Sequence, residues 1–175
     1  MKISDLLKSK EQVKCALEYA LNIRDKKMCE FLIPLAQNPQ LTYLYASRIV
    51  EAKIKPEWEE IILQDHVWTY LYTFNVLGKR WEKGEETIIK DPWVSYKYAK
   101  DVVKGRWKEG ERVISRDAFS SYMYAKNVVK DRWKDGEEAI VKNDVHRENY
   151  KMFLKKINKL EEFLRDFPEL KNKEK

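Results

Sequence analysis

The 175-residue sequence predicts an all-α fold, an α-solenoid of tandem helix-turn-helix repeats with one longer and one short helix per unit and capping helices at both ends. Three observations carry this. Arg80-Trp81, Arg106-Trp107 and Arg132-Trp133 recur every 26 residues, and Gly84-Glu85, Gly110-Glu111 and Gly136-Glu137 follow in step. A tyrosine comb (Tyr19, Tyr45, Tyr72, Tyr98, Tyr124, Tyr150) keeps spacings of 26 or 27, and Asn38, Asp65, Asp91, Asp117 and Asn143 form a second series between its teeth. Fixed periods of this size mark stacked supersecondary units. Finally, no stretch alternates with the period of two that strands need, and the chain has only five Gly and five Pro.

Residues 1–37 read as an N-terminal cap and a degenerate unit. Ile3, Leu6, Leu7, Val13 and Leu17 supply the apolar side of the cap helix, and Phe31, Leu32, Ile33 and Leu35 that of the unit. Residues 38–143 make four repeats, each opening on its Asn or Asp. Asn38-Pro39 and Asp91-Pro92 pair an N-cap acceptor with a proline at the first helical position, where no backbone N–H is lost. From Pro92 to Lys104 nothing interrupts a helix about 20 Å long. Ser95, Tyr96, Ala99, Val102 and Val103 share one face of it, and Lys97, Lys100, Asp101 and Lys104 the opposite one. Gly105, and Gly78 one place earlier in the preceding repeat, are expected in the left-handed conformation that ends a helix. The short helix runs from about Lys108 to Ser115, and Pro56 marks the start of its counterpart in the first repeat. Residues 144–168 predict one C-terminal capping helix, with Tyr150, Phe153, Leu154, Ile157, Leu160, Phe163, Leu164 and Phe167 in helical register and Pro168 as its stop. Residues 169–175 predict a frayed tail, and the whole of 1–175 reads as a single helical-repeat domain.

The units Tyr98-Ala99-Lys100-Asp101-Val102-Val103-Lys104-Gly105-Arg106-Trp107 and Tyr124-Ala125-Lys126-Asn127-Val128-Val129-Lys130-Asp131-Arg132-Trp133 are each followed by x-x-Gly-Glu and an Ile. They resemble a family of short tandem α-helical repeats common in uncharacterised bacteriophage and large-virus proteins. The resemblance covers residues 65–143 well and 38–64 weakly, departing where the Trp has shifted to Trp58, beside Lys55, and where Thr73-Phe74 stands for Ala-Lys. It implies a helical-repeat fold and a viral or mobile-element origin, and it carries no catalytic residues to transfer.

Composition narrows the function classes. Six Trp, ten Tyr and six Phe exclude a disordered chain, which lacks the apolar surface to offset ordering entropy. The net charge of +6 is uneven, residues 91–143 holding twelve basic and nine acidic side chains, but both signs are interspersed and no basic arm stands out. No run approaches 18 apolar residues and Met1 to Lys10 has no apolar signal core, so a cytoplasmic protein is expected, in the host cytoplasm if viral. Cys15 and Cys29 fit a reducing compartment, and their spacing with His66 and His146 offers no zinc pattern. The paired carboxylates Glu59-Glu60, Glu85-Glu86 and Glu137-Glu138 recur where the short helix starts, which the helix dipole explains better than acid–base chemistry. No glycine-rich phosphate loop occurs. No catalytic residue, cofactor, metal or membrane contact is expected.

The Trp series is read as packing, with the glycine three residues later making room for the ring, and the Arg ladder as the partner of Glu85, Glu111 and Glu137. That leaves the outward face of the longer helix free to carry function. Leu44, Leu71 and Phe74 are expected to form an apolar patch, unless the N-terminal cap covers it, beside Lys97, Lys100, Lys104, Met123, Lys126 and Lys130. An apolar patch rimmed by charge suits a protein partner, so the expected function is a non-enzymatic scaffold that binds and modulates a host or viral protein. The alternative is nucleic-acid binding through Lys97, Lys100, Lys104, Arg106, Lys126, Lys130 and Arg132.

Overall fold

The structure, a computed structural model, describes residues 9–173, with side chains to Lys171. The chain is all-α, helix pairs recurring about every 26 residues and packing in sequence, with no strand among the described residues. It divides into two compact units, Met1–Ile88 and Ile89–Lys175.

The first unit contains α1 (Lys10–Asn22), α2 (Lys26–Ala36), α3 (Pro39–Tyr45), α4 (Pro56–Ile62), α5 (His66–Tyr72) and α6 (Glu82–Ile88). Side chains start most of them: Ser9 closes a capping box with Gln12, and Asp25, Asn38 and Asp65 each accept backbone N–H groups of the first turn. Helix α2 packs on α1, and α3 contacts α1, α4 and α5. Leu17, Cys29, Leu32, Ile33, Tyr45, Trp58, Ile62 and Tyr72 form the buried centre. Of the expected apolar sets, Ile3, Leu6 and Leu7 lie outside the described residues. Phe31 and Leu35, expected inward, are exposed. Cys29, Leu32, Ile33 and Ala36, a single i, i+3, i+4, i+7 stripe, occupy the core instead.

Cys29 is fully buried, and burial, with Asp25 nearby, pushes its thiol up to about 11, whereas Cys15 is exposed. Since the thiolate is the reactive species, a maleimide at about pH 8 should modify Cys15 in the native protein and Cys29 only after denaturation. Peptide mapping checks this; native labelling of Cys29 would contradict the packing of α2.

The second unit contains α7 (Pro92–Tyr98), α8 (Lys108–Ile114), α9 (Ala118–Tyr124), α10 (Lys134–Val141), α11 (Asp144–Lys156) and α12 (Leu160–Asp166), then a 3-10 turn, Pro168–Lys173. Asp91, Asp117 and Asn143 cap α7, α9 and α11 through the backbone N–H groups of Val94, Ser120 and His146. Helix α7 packs on α8 and α9, α9 on α10 and α11, and α11 on α12.

The longer helix of each repeat is not the continuous α-helix expected. After seven residues it opens into a π turn: Ala46–Val50, Thr73–Leu77, Ala99–Val103 and Ala125–Val129. Five-residue hydrogen bonds close it, from Gly78 N–H to Thr73 O (2.9 Å) and from Lys130 N–H to Ala125 O (2.7 Å). The chain leaves through a left-handed residue, Glu51, Gly78, Lys104 or Lys130, at φ 54°, 63°, 58° and 57°. This corrects the expectation for Gly105: Lys104 takes the place that Gly78 holds one repeat earlier, and Gly105 has no positive φ.

The C-terminal cap is two helices rather than one. Asn158, at φ 58°, breaks the register, and Lys159 N–H returns to Leu154 O (2.9 Å). Asn tolerates the left-handed region better than other residues with a Cβ, a stop that uninterrupted apolar spacing conceals. The reversal sets Phe163 edge-on to Tyr150, with ring centroids 5.5 Å apart. Leu170, expected in a frayed tail, is buried in the 3-10 turn.

Candidate functional site

A repeated polar lock holds the start of the short helices. Tyr124 Oη accepts the Trp107 N–H (3.0 Å) and donates to Glu111 (2.8 Å). Tyr150 does the same with the Trp133 N–H and Glu137, both at 3.0 Å. In the first unit Tyr72 joins the Ile54 N–H (3.1 Å) to Glu59 (2.8 Å). Burial, reinforced by the facing carboxylates, pushes these three hydroxyls well above the usual tyrosine range, so they stay donors. Arginine is the two-pronged partner of Glu111 and Glu137, Arg106 at 2.7 and 2.9 Å and Arg132 at 2.6 and 2.6 Å, and Arg80 grips Glu85 the same way at 2.9 and 2.9 Å, whereas Glu59 faces Lys53 at 3.8 Å. The separation of 13 residues from Glu to Tyr holds in all three locks, and that of 17 from Trp to Tyr in the two of the second unit, a spacing the repeat carries in the sequence.

Two of the expected anion-binding residues are therefore engaged. Arg106 remains 49% exposed beside its Glu. The Arg132 side chain is 3% exposed, held also by Glu162 (3.1 Å) and Asp166 (2.7 Å) and lying over the Phe163 ring. Helix α12 supplies those groups and removes Arg132 from the surface, which corrects its place in the anion-binding set. The tryptophans are packing residues: Trp107 and Trp133 are buried, and a Cβ on Gly84 or Gly136 would stand 2.6 Å from the Trp81 or Trp133 ring.

The expected apolar patch is thinner than its sequence suggests. Leu44 packs against the core of the first unit and Leu71 is half-buried, leaving Phe74 exposed and stacked in parallel on Tyr70, 6.0 Å between centroids. Among the expected lysines, Lys97 pairs with Asp101 at 2.7 Å and Lys126 lies on Tyr122, Nζ to Oη 3.1 Å. Met123 is half-buried with its sulfur 4.0 Å from Asn127 Nδ2. Lys100, Lys104 and Lys130 come together: with Gly105, Asn127 and Val128 they line a cavity of about 190 Å³ in the second unit.

A feature outside the expected set is a row of rings on the second unit. Trp93 and Phe119, each the second residue after its cap, stack at 5.1 Å and 17° while staying 40% and 39% exposed. His146 extends the row, 5.1 Å from Phe119, and Tyr96 backs Trp93 at 5.1 Å. Val67 and Val145 occupy the same position after their caps and are exposed as well. An apolar residue two places after every cap from Asp65 onward is legible in the sequence once the repeats are aligned.

No family model, curated protein or solved structure matches the chain. Among the described residues no group of three or more His, Cys, Asp or Glu could hold a metal, and no helix is long and apolar enough to cross a membrane.

Proposed function

We propose that the protein is a non-enzymatic scaffold that binds a protein partner through the second unit, a host or viral factor that it modulates as inhibitor or adaptor. The stacked and exposed Trp93–Phe119 pair carries this reading. Aromatic side chains dominate binding hot spots because they bury large area with few rotatable bonds. Rings already fixed by stacking lose little further freedom on association. Phe74, stacked on Tyr70, offers a comparable ring in the first unit. Trp93→Ser combined with Phe119→Ser should lose the protein that the wild-type chain retains from host lysate after nuclease treatment, while the helical circular-dichroism spectrum is kept and the melting temperature falls only by the loss of two partly buried rings. If the double variant keeps that protein while Leu71→Asp with Phe74→Asp loses it, the contact belongs to the first unit.

A second reading, nucleic-acid binding, is favoured by the convergence of Lys100, Lys104 and Lys130 on one cavity. It requires an oligonucleotide to be held at low salt and released steeply as salt rises.

A further inference from the structure

We propose that the cavity lined by Lys100, Lys104 and Lys130 is a site for a phosphate-type oxyanion, either a free one such as pyrophosphate or one in a nucleic-acid backbone. The second source rests on the nucleic-acid reading above.

Charge is the first argument. Among the described residues no carboxylate lies within ion-pair distance of Lys104 or Lys130, and the nearest to Lys100 is Asp101 at 4.0 Å, already held by Lys97 at 2.7 Å. Arg106, Arg132, Lys142 and Lys159 of this unit are ion-paired, whereas Lys108, Arg112, Arg116, Lys155, Lys156 and Arg165, like Lys104 and Lys130, have no carboxylate within ion-pair distance among the described residues; the three lysines are set apart by sharing one cavity. Three like charges around one cavity repel one another, and an oxyanion between them turns that repulsion into attraction. Lysine ammonium groups on flexible stems, with three donors each, adapt readily to a tetrahedral oxyanion.

The backbone supplies the second argument. Lys104 and Lys130 sit at left-handed φ, where any Cβ is strained and glycine is favoured. Gly78 fills this position in another repeat. A cation there gains from the helix dipole, but Glu51 stands at the same position with the opposite charge, so the helix end does not demand lysine. Residues with side chains take the left-handed position at other helix ends too, at Arg24, Gln37 and Asn158, so what distinguishes Lys104 and Lys130 is that two lysines of successive repeats open on one cavity. Gly105 fits the same reading. It has no positive φ, and a Cβ on it would meet no atom within 4 Å. Packing does not require a glycine there, and it stands among the residues that line the cavity.

The test is calorimetric titration of the native protein with pyrophosphate at low ionic strength, paired with thermal melting. Saturable binding and a melting temperature that rises with ligand are expected. Lys104→Gly with Lys130→Gly removes two cations while placing at both positions the residue that Gly78 already shows to fit. Its unliganded melting temperature should not fall, and affinity should drop by about tenfold or more per lysine. Lys104→Arg with Lys130→Arg should retain binding. No saturable binding by the wild type, or equal binding by the glycine variant, overturns the proposal. An oligothymidylate forms the second arm. Pyrophosphate binding without oligothymidylate binding keeps the site and rejects the nucleic-acid reading, whereas oligothymidylate bound equally by wild type and glycine variant keeps that reading and rejects the site.

Discussion

Glu137→Ala lowers stability by about 3 kcal/mol, the lower end of the cost of breaking a buried ion pair, and Glu111→Ala by about half as much. Both carboxylates accept a tyrosine hydroxyl and a two-pronged arginine. The arginine side chains differ: that of Arg132 is 3% exposed and that of Arg106 49%. Without Glu137 a buried guanidinium loses its main partner and Tyr150 its acceptor, while Glu162 and Asp166 still hold Arg132 and keep the cost from the upper end of the range. Without Glu111, water solvates Arg106. Urea midpoints with unchanged slopes measure the difference, and equal losses would show that α12 does not seal Arg132. The same melts against pH carry a sign. Hydrogen bonds from Arg106, opposed by burial and aided by the Tyr124 hydroxyl, hold the Glu111 carboxyl below its ordinary 4.5. The unfolded chain therefore binds the proton first as pH falls, and this contribution is complete above about 4.5 and lost on further acidification. Glu111→Ala should flatten that part of the acid limb.

Gly110→Ala destabilises the protein by about 2 kcal/mol through overpacking, although the same change in an open helix would stabilise by about 1 kcal/mol. The new Cβ would meet Cε3 and Cζ3 of Trp107, 2.5 Å away in the latter case. That ring is 1% exposed and lies edge-on to Tyr98 at 4.9 Å, so it has nowhere to move. Gly105→Ala is the control, since a Cβ there meets open space. Thermal melting with tryptophan fluorescence separates them, and a stabilised Gly110→Ala would mean that the ring has room.

What was legible in the sequence had a local cause. Asn38, Asp65, Asp91, Asp117 and Asn143 start helices because a side-chain acceptor needs only the backbone N–H groups of the next turn. The Trp-to-Gly spacing likewise describes one turn of one helix. The π turns escaped because α and π turns expose the same residue types, and the difference lies in which carbonyl the Gly78 and Lys130 N–H groups reach. Neither the covering of Leu44 nor the exposure of Trp93 and Phe119 follows from the sequence, because helical period shows that a helix has an apolar side but not how wide a neighbour covers it.

By itself the sequence determined an all-α chain of repeats of about 26 residues, their starts and their packing aromatics, since caps, period and ring size act over one or two turns. The tertiary structure alone decided which charges are spent and which are free. Arg106 and Arg132 occupy identical places in their repeats, yet only Arg132 is buried, because Glu162 and Asp166 reach it from a helix some thirty residues on. Lys104 and Lys130 likewise come together only where two successive turns open on the same cavity. Long-range neighbours set solvation and charge balance, and one-dimensional spacing carries neither.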